Sequence, residues 1–381
     1  MAKKPEPVKR DLYQEVTDSI IEVMEQGRVP WVPGHVPADQ STEQAKLASR
    51  FEMPVSAITG KPYQGINPLI LWASKTKNNF SSNAWMTFNQ AKELGGNVLK
   101  GSRGSMVTYA SPFVPKAEAE MAKKDGREPN VAFMLKGFTV FNLDQIENVP
   151  EEKLKLTTTP YDPIQIRGRT AEIIKNAKID LKIGGDQPQY VHSISGGLDF
   201  IQIPHPDQFK NEDAYYHTLY HEMTHWTGNK DRLNRPFGST RTSAQYAKEE
   251  LIAELGSAYM SANMGMEPAN DRHTAYLQGW LKHLKDDKKF IFQAATAASK
   301  ASDYLLGFEN VHALDWASKE APEWSKDECQ AAEKAFEADQ AEGRYQGLSL
   351  EEYGEFKHRI WLKANPQEDQ DLEASNPSLA A

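Results

Sequence analysis

The sequence predicts an α+β protein with a small N-terminal α+β domain, a second domain and a mostly helical acidic tail. Stretches with apolar residues every three or four positions alternate with short runs rich in β-branched and aromatic residues, which is typical of mixed helix and strand. A Pro-rich, polar stretch at residues 147–165 has the composition of a linker. We therefore place the domains at residues 8–147, 160–308 and 309–381.

The N-terminal domain is predicted to begin with an amphipathic helix over residues 9–27, ended by Gly27. The segment NVLKGSRGSMVTYASPFV predicts two strands joined by the KGSRG turn. Residues 115–130 predict a charged loop inside a hairpin, followed by one long strand or a strand pair in VAFMLKGFTVFN. The remaining predicted elements are a helix in INPLILWAS, a short strand in NAWMTF and a helix in TFNQAKELGG.

The second domain is predicted to open with a helix at residues 167–179. The segment PQYVHSISGGLDFIQIP then predicts two short strands around a Gly-Gly turn. A helix follows, with Asp213 as its N-cap and Gly228 just after its end. Residues 272–284 and 286–306 predict two more helices.

The helix after the second strand contains the motif HEMTH, which is His221, Glu222 and His225. Residues four apart lie on the same face of a helix, so both histidines can reach one ion. Two histidines with an adjacent glutamate are typical of a zinc centre in which the glutamate is the general base for a metal-bound water. The sequence therefore predicts His221 and His225 as metal ligands and Glu222 as the catalytic base.

A third protein ligand is needed to leave one open position for water. Glu250 and Glu254 are four apart on a second predicted helix, and we expect one of them, Glu250, to bind the metal while Glu254 supports a ligand. Asp231 is the alternative, because it follows HEMTHWTGNK at the spacing HExxHxxGxxD. We favour Glu250, since a carboxylate on a rigid helix is better held than one in a loop.

Three neighbouring features complete the prediction for this site. Glu249 is expected to point away from the shared face into solvent. His217, one turn before His221, is expected to be a stacked neighbour rather than a ligand. The strand LDFIQI before the HEMTH helix is expected to offer its edge to an extended peptide substrate.

Composition restricts the class of protein and its surroundings. The chain has 381 residues and a net charge of −9, and the tail from residue 311 accounts for that excess, with 7 Lys and Arg against 16 Asp and Glu. A single cysteine, Cys329, excludes an internal disulfide framework and predicts a reducing, cytoplasmic setting. The N-terminus lacks the apolar stretch of a signal peptide, and no run is long enough to span a membrane.

Residues 61–103 combine six basic residues and one acidic residue with several aromatic residues. Single-stranded nucleic acid is bound by such pairings, in which cations follow the phosphates and aromatic rings stack on bases. A protein core that contains the aromatic residues is the competing interpretation. The candidate DNA contacts are Lys61, Tyr63, Lys75, Lys77, Trp85, Lys100 and Arg103.

Taken together, these stretches resemble the plasmid antirestriction proteins of the ArdC family, and the N-terminal half is also similar to the N-terminal domain of TraC-type plasmid primases. The motifs that carry the resemblance occur in the family's order over residues 8–308. They are PW at 30–31, TGKPYQGIN at 59–67, WMTFNQAKELGGNVLKGSRG at 85–104, FTVFNLDQ at 138–145, TLYHEMTHWTG at 218–228, RLNR at 232–235 and EELIAELGSAYM at 249–260.

The resemblance implies a small α+β N-terminal domain that binds single-stranded DNA, followed by a zincin-like metalloprotease domain. It implies metal ligands at His221, His225 and Glu250, with Glu222 as the base, and it disfavours Asp231. Zn²⁺ is the expected metal, with another divalent metal as the alternative. The resemblance further implies an element such as a plasmid or phage, transferred for instance by conjugation, whose incoming DNA is shielded from host restriction.

Three functions are compatible with these features. The first is a zinc peptidase that the N-terminal domain brings to proteins on single-stranded DNA. The second is a protein that protects DNA by occupying it, with a metal site that does not cut. The third is a protease that cleaves a regulator. The partners expected are single-stranded DNA and a protein substrate on that DNA, without a membrane.

Overall fold

The computed structural model describes residues 11–31, 51–130, 132–156, 162–192, 197–237, 243–266 and 273–309. These residues belong to one compact unit that extends to Asn310. The predicted acidic helical tail at 309–381 lies outside the described residues apart from its first position. The described part is mixed helix and strand, as the sequence predicted.

Nine α-helices are found in the described residues. They are α1 (Leu12–Glu25), α2 (Asn67–Asn78), α3 (Phe88–Glu93), α4 (Lys116–Asp125), α5 (Pro163–Ala177), α6 (Glu212–Thr227), α7 (Ala244–Asn263), α8 (His273–Asp286) and α9 (Phe290–Leu306). Short 3₁₀ turns occupy Leu143–Gln145, Glu151–Lys153 and Pro206–Gln208. Each helix predicted within the described residues is present, with ends shifted by a few residues.

The N-terminal sheet has four strands. They are β1 (Val55–Ser56), β2 (Ala84–Thr87), β4 (Ser105–Phe113) and β5 (Ala132–Asn142), in the order β1-β2-β5-β4, and a separate pair is formed by β3 (Asn97–Val98) and β6 (Ile146–Glu147). The two strands predicted on either side of the KGSRG turn are thus present as β3 and β4, but they pair with other strands and not with each other. Because β3 pairs with β6, β4 is free to form a long antiparallel hairpin with β5.

The connection within that hairpin is a helix and not the predicted loop. Helix α4 begins after Pro115 and ends at Gly126, which adopts a left-handed conformation with φ 65°. Arg127 stabilises the end of the connection by an ion pair with Glu118, in which Nη1 lies 2.6 Å from Oε1. This helix is exposed and highly charged. Its composition is therefore close to that of a surface loop, which is why the sequence predicted a loop here.

The second sheet has three strands, namely β7 (Asp180–Ile183), β8 (Gln189–His192) and β9 (Asp199–Ile203), in the order β7-β9-β8. Strand β9 pairs in parallel with β7 and antiparallel with β8. Both edges of β9 are thus occupied, so the prediction that this strand receives a substrate peptide is wrong. Strand β8 lies at the outside of this sheet.

The largest core cluster joins the two halves of the sequence. Val16, Ile20 and Met24 of α1 pack in the same cluster as Trp280 of α8 and Ile291 of α9. The indole rings of Trp31 and Trp280 meet edge to face at 5.9 Å. Helix α1, from the N-terminal half of the sequence, therefore packs in the same core as helices α8 and α9 of the second half. Of the described helices, none is long and apolar enough to cross a membrane.

Candidate metal centre and nucleic-acid interface

Helix α6 carries the HEMTH motif and is capped by Asn211, whose Oδ1 accepts a hydrogen bond from the Ala214 amide at 2.9 Å. The predicted cap, Asp213, is wrong by two residues and lies inside the first turn. There its negative charge, together with that of Glu212, stabilises the positive end of the helix dipole. The helix ends at Thr227, as the sequence predicted.

Three ligand atoms converge between α6 and α7. Nε2 of His221 lies 3.2 Å from Nε2 of His225, and the Glu250 carboxylate lies 3.8 Å from the first nitrogen and 3.6 Å from the second. Four ligands at about 2.0–2.1 Å around a tetrahedral cation lie roughly 3.4 Å apart. The spacing and the nitrogen and oxygen donors therefore fit a divalent cation.

The competing third ligand does not take part in this cluster. Asp231 is exposed in the turn after α6, where its amide bonds to Oδ1 of Asn229 at 3.1 Å. Of the residues that the structure describes, the trio of His221, His225 and Glu250 forms the group whose ligand atoms lie within 4.8 Å of one another. The geometry therefore agrees with Glu250 and not with Asp231.

Glu254 lies behind His221. Its Oε2 is 3.5 Å from Nδ1 of His221, and its Oε1 is 3.6 Å from Nε2 of His217. His217 is itself held by Ser257, whose hydroxyl lies 2.9 Å from Nδ1. A carboxylate on the far nitrogen fixes the orientation of a ligand histidine and raises its basicity. Glu254 thus lies where the sequence placed it, and His217 packs behind it.

Glu249 holds the second histidine, and its predicted exposure to solvent is wrong. The side chain is buried, and its Oε1 lies 3.2 Å from Nδ1 of His225. The same carboxylate accepts two hydrogen bonds from Arg235, at 2.8 and 3.0 Å. Arg235 reaches it from the loop between α6 and α7, a contact that helical periodicity cannot reveal.

Arg235 also fastens the loop to the end of α6. Its guanidinium donates to the carbonyl of Thr224 at 2.6 Å and to Oγ1 of Thr227 at 2.8 Å. Arg232, the other arginine of the RLNR segment, donates to the carbonyl of Trp226 at 2.6 Å and stacks on that indole at 3.8 Å. Cationic side chains at a helix C-terminus satisfy its last carbonyls and stabilise its dipole.

Two glycines allow the close packing that the site requires. A Cβ on Gly256 would lie 2.5 Å from Cγ2 and Oγ1 of Thr224, so only glycine lets α7 approach α6 at this level. A Cβ on Gly228 would lie 2.9 Å from Nη2 of Arg235 and 2.8 Å from the Phe237 ring. Gly228 has a φ of −75°, so it does not provide a left-handed helix end. Its lack of a side chain instead leaves room for Arg235 and Phe237 of the following loop.

The acidic surroundings determine the charge of the site. Burial opposes protonation of His221, but the hydrogen bond that its ring donates to Glu254 and the charges of the nearby glutamates outweigh it and raise the pKa of His221 to about 9. Burial likewise raises the pKa of Glu249, but hydrogen bonds from His225 and Arg235 outweigh it and hold that pKa below its usual range. Glu222 is buried beside the trio, with 6% of its surface exposed.

Two family models match different parts of the chain. A family model described as the N-terminal domain of the anti-restriction factor ArdC matches residues 10–141, and one described as a zincin-like metallopeptidase matches residues 169–297. An uncharacterized protein, y4eC, of Sinorhizobium fredii (strain NBRC 101917 / NGR234) is 32% identical over 302 residues, which cover 77% of this chain and 91% of that protein.

Two crystal structures of the antirestriction protein ArdC from plasmid R388 are similar to the fold. The metal-free structure is 36% identical and the Mn(II)-bound structure 37% identical; each has a TM-score of 0.60 and is matched over 98% of its length and 78% of this chain. The chain belongs to the ArdC family. DNA primase TraC of Escherichia coli is 31% identical over 316 residues, but those residues cover only 20% of the primase.

This member of the ArdC family keeps part of its predicted DNA surface exposed. Lys61, Lys77, Lys100 and Arg103 are exposed to solvent. Tyr63 is half-buried in a small apolar cluster, and burial raises the pKa of its hydroxyl to about 12. Four of the seven predicted contacts are thus available to a ligand as cations.

Two of the predicted contacts are wrong. Trp85 is 1% exposed, because its strand is central in the sheet and its ring packs edge to face on Phe80 at 5.8 Å. Lys75 is buried, and its Nζ donates to Oδ1 of Asn83 at 2.9 Å. Trp85 is therefore a core residue, as the competing interpretation of the aromatic stretch predicted. Lys75 stabilises the fold through its hydrogen bond to Asn83.

The β4–β5 hairpin exposes an aromatic surface that sequence reasoning missed. Tyr109 is 58% exposed and Phe138 47% exposed, and Lys136 lies directly opposite Tyr109 in the register. Alternate residues of a strand share one face, so these three share a surface with two further apolar residues. We name this surface the hairpin face; its members are Tyr109, Phe113, Met134, Lys136 and Phe138. In the sequence, both strands have apolar residues at odd and at even positions. This pattern indicates apolar side chains on both faces of the hairpin, including the exposed one.

Proposed function

We propose that this chain protects incoming DNA from restriction by binding single-stranded DNA through its N-terminal half, and that its second half holds Zn²⁺ in a peptidase centre. The carrying observation is the converging trio of His221, His225 and Glu250, in which each histidine is backed by a buried carboxylate. Structural zinc sites take four protein ligands, whereas catalytic sites take three and keep one position open. The three donors found among the described residues fit the catalytic kind.

Zinc is proposed because two imidazoles and one carboxylate, without a thiolate, are a common catalytic zinc set. Zinc also binds nitrogen and oxygen donors more tightly than Mn²⁺ does. The Mn(II)-bound structure of the related R388 protein supports a divalent ion at this kind of site and makes Mn²⁺ the alternative to zinc. We expect the cell's supply of metal to select between them.

When bound, the metal supplies polarisation of a peptide carbonyl and acidification of water. Glu222, buried beside the ligands, accepts the proton of the attacking water and returns it to the leaving amine. A peptide substrate can add to the outer edge of β8, since β9 is already paired on both sides. The β8 residue Tyr190 accepts a hydrogen bond from Asn229 at 2.9 Å, which keeps this edge close to the end of the metal helix.

Binding to single-stranded DNA is supported by the hairpin face and the exposed cations. The rings of Tyr109 and Phe138 offer stacking surfaces for bases, and Lys136 between them offers a charge for phosphate. Replacing Tyr109 or Phe138 by alanine in the full chain should cost about 1–3 kcal/mol of binding free energy per stacked base. Met121→Ala is the control, because Met121 is similarly exposed but lies on α4.

The decisive experiment compares the full chain with Glu222→Gln in a restricting host that receives unmodified plasmid. Loss of protection with unchanged affinity for single-stranded DNA supports a peptidase that acts on proteins at the DNA. Full protection by Glu222→Gln, lost instead in Tyr109→Ala, would show that occupancy of the DNA is sufficient. Failure of the parent chain to bind single-stranded DNA at low salt would refute the proposed function as a whole.

A further inference from the structure

A basic cleft separates the β4–β5 hairpin from α9. It encloses about 610 Å³, with Ala110 and Leu135 of the hairpin on one wall and Phe292 of α9 on the other. Tyr13 of α1 contributes to the floor, and its ring meets that of Phe292 at 4.7 Å. The cleft thus lies between the N-terminal half and the helices of the second half.

The lining of the cleft has one sign of charge. Lys289, Lys300 and Arg235 line it, and no carboxylate is found among the described residues that do so. Because Arg235 is already paired with Glu249 at 2.8 Å, the two lysines supply the positive charge that an anion meets. Lys289 and Lys300 are exposed, and Nζ of Lys289 lies 5.4 Å from the centre of the Tyr13 ring. Cations combined with accessible aromatic rings match a strand of nucleic acid, since phosphates meet the cations and bases meet the rings.

The cleft and the hairpin face lie on opposite sides of the β4–β5 hairpin and meet at its outer strand, β4. Tyr109 lies on the hairpin face, whereas its neighbour Ala110 lines the cleft, because successive residues of a strand point to opposite sides. Strand β4 is at the end of the strand order, and no further strand of the described residues pairs with its outer side. At Thr108 that side is bonded by the Asn67 side chain of α2, at 2.8 and 2.9 Å. A flexible single strand that crosses β4 beyond Thr108 can therefore contact both surfaces.

The cleft also reaches the metal centre through one side chain. Arg235 lines it and at the same time bonds Glu249 at 2.8 Å, and Glu249 contacts Nδ1 of the ligand His225 at 3.2 Å. An anion beside Arg235 is thus two side chains away from the cation site. Negative charge brought near a cation site favours the bound cation, by the attraction of opposite charges.

We propose that the cleft binds single-stranded DNA and that DNA bound there tightens divalent metal binding at His221, His225 and Glu250. This inference rests on the proposed function, because it takes the DNA ligand and the metal site from it. It adds a location for the strand and a coupling between the two sites. By thermodynamic linkage the metal must tighten DNA binding by the same factor.

The test measures two affinities on the full chain at low salt, for Mn²⁺ and for a short oligothymidylate, each with and without the other. We expect saturating oligothymidylate to tighten Mn²⁺ about fivefold or more, which is the lower end of typical coupling. The double variant Lys289→Ala/Lys300→Ala should weaken DNA binding and abolish the coupling. Lys175→Ala/Lys282→Ala is the matched control, because both lysines are exposed on α5 and α8 outside the cleft.

Each outcome decides the inference. If both double variants bind DNA as the parent does and keep the coupling, the cleft is not the site, although the proposed DNA binding stands. If DNA binds in the cleft but the Mn²⁺ affinity does not change, the coupling is refuted. If inorganic phosphate or a polyglutamate peptide reproduces the effect, the cleft responds to anions in general and the assignment to DNA fails. If the parent binds no DNA, the proposed function fails first.

Discussion

At the scale of single residues, the two carboxylates behind the histidines distinguish this site from a chance HExxH sequence. Glu254 supports His221, and Glu249 supports His225, so each ligand ring is held from its far nitrogen. Arg235 neutralises the buried Glu249 and keeps it ionised. Packing alone therefore holds the candidate ligands in position, which would lower the cost of binding a metal ion.

Replacing Glu249 by Gln should weaken metal binding by about 10–100-fold, the usual cost of removing a carboxylate that supports a ligand histidine. Isothermal titration with Mn²⁺ measures the effect. Glu93→Gln, on exposed α3, removes the same charge without touching the site and should leave the affinity unchanged. An unchanged affinity in Glu249→Gln would show that His225 is oriented without its carboxylate.

Exchanging the third ligand separates the two candidates directly. Glu250→Gln should weaken Mn²⁺ binding by at least about tenfold, because one of three protein ligands loses its charge. Asp231→Asn should change the affinity by less than about twofold, since an exposed charge outside the trio is screened by solvent. The reverse result in the same titration would assign the metal to Asp231.

At the scale of elements, the contact between α6 and α7 positions the third ligand. The helices approach each other at Gly256, next to Thr224, whose hydroxyl donates to the carbonyl of Tyr220 at 2.8 Å. Glu250 and Glu254 lie on the same side of α7, about one turn apart, and both face α6. A small change in the distance between α6 and α7 would therefore move Glu250 and Glu254 together.

Gly256→Ala should lower the melting temperature, because its Cβ would lie 2.5 Å from Thr224 atoms. Overpacking of this kind costs about 1–3 kcal/mol, which outweighs the roughly 1 kcal/mol that alanine gains in a helix. Gly279→Ala in α8 is the control, since its Cβ would meet nothing within 4 Å, and it should stabilise the protein. Thermal unfolding of both variants measures the difference, and a stabilised Gly256→Ala would contradict the packing.

At the scale of the whole molecule, the two sequence halves share one core. Helix α1 packs with α8 and α9, while α6 and α7 carry the ligands and α7 also contributes to that core. The Tyr259 hydroxyl of α7 donates to the carbonyl of Gly65, in the N-terminal half, at 2.8 Å. Because α7 carries Glu250 and also packs in the shared core, changes that loosen this core are expected to displace that side chain.

Removal of metal by a chelator should lower the melting temperature of the parent chain. A ligand that binds only the folded state stabilises it by about 2.7 kcal/mol at a concentration of a hundred times its Kd. In a protein of this size that corresponds to a shift on the order of a few degrees. His225→Ala should melt at the same temperature with and without the chelator, and a chelator response in that variant would place the metal elsewhere.

Several elements could be predicted from sequence because their cause is local. The HEMTH helix was expected from Asp213 to Thr227 and spans Glu212–Thr227, since apolar spacing and a flanking glycine are properties of neighbouring residues. The two histidines four apart on that helix necessarily share a face. The prediction of Glu250 over Asp231 agrees with the geometry for the same reason, because a helix fixes side-chain directions.

Other features depended on contacts between distant residues. Glu249 was expected in solvent, but Arg235 covers it from a separate loop. Trp85 was a candidate for base stacking, but strands on both sides of β2 and the ring of Phe80 bury it. The partner of β3 lies nearly fifty residues further along the chain at β6, and the adjacent KGSRG turn gave no indication of that pairing.

The sequence by itself thus determined the HEMTH motif, the helices that carry the candidate ligands and the resemblance to the ArdC family. Tertiary structure alone decided which glutamate supports which histidine, which aromatic rings remain accessible and that a basic cleft touches Arg235. The physical reason is that helix periodicity acts between near neighbours, whereas burial and hydrogen bonding between elements depend on how the whole chain packs.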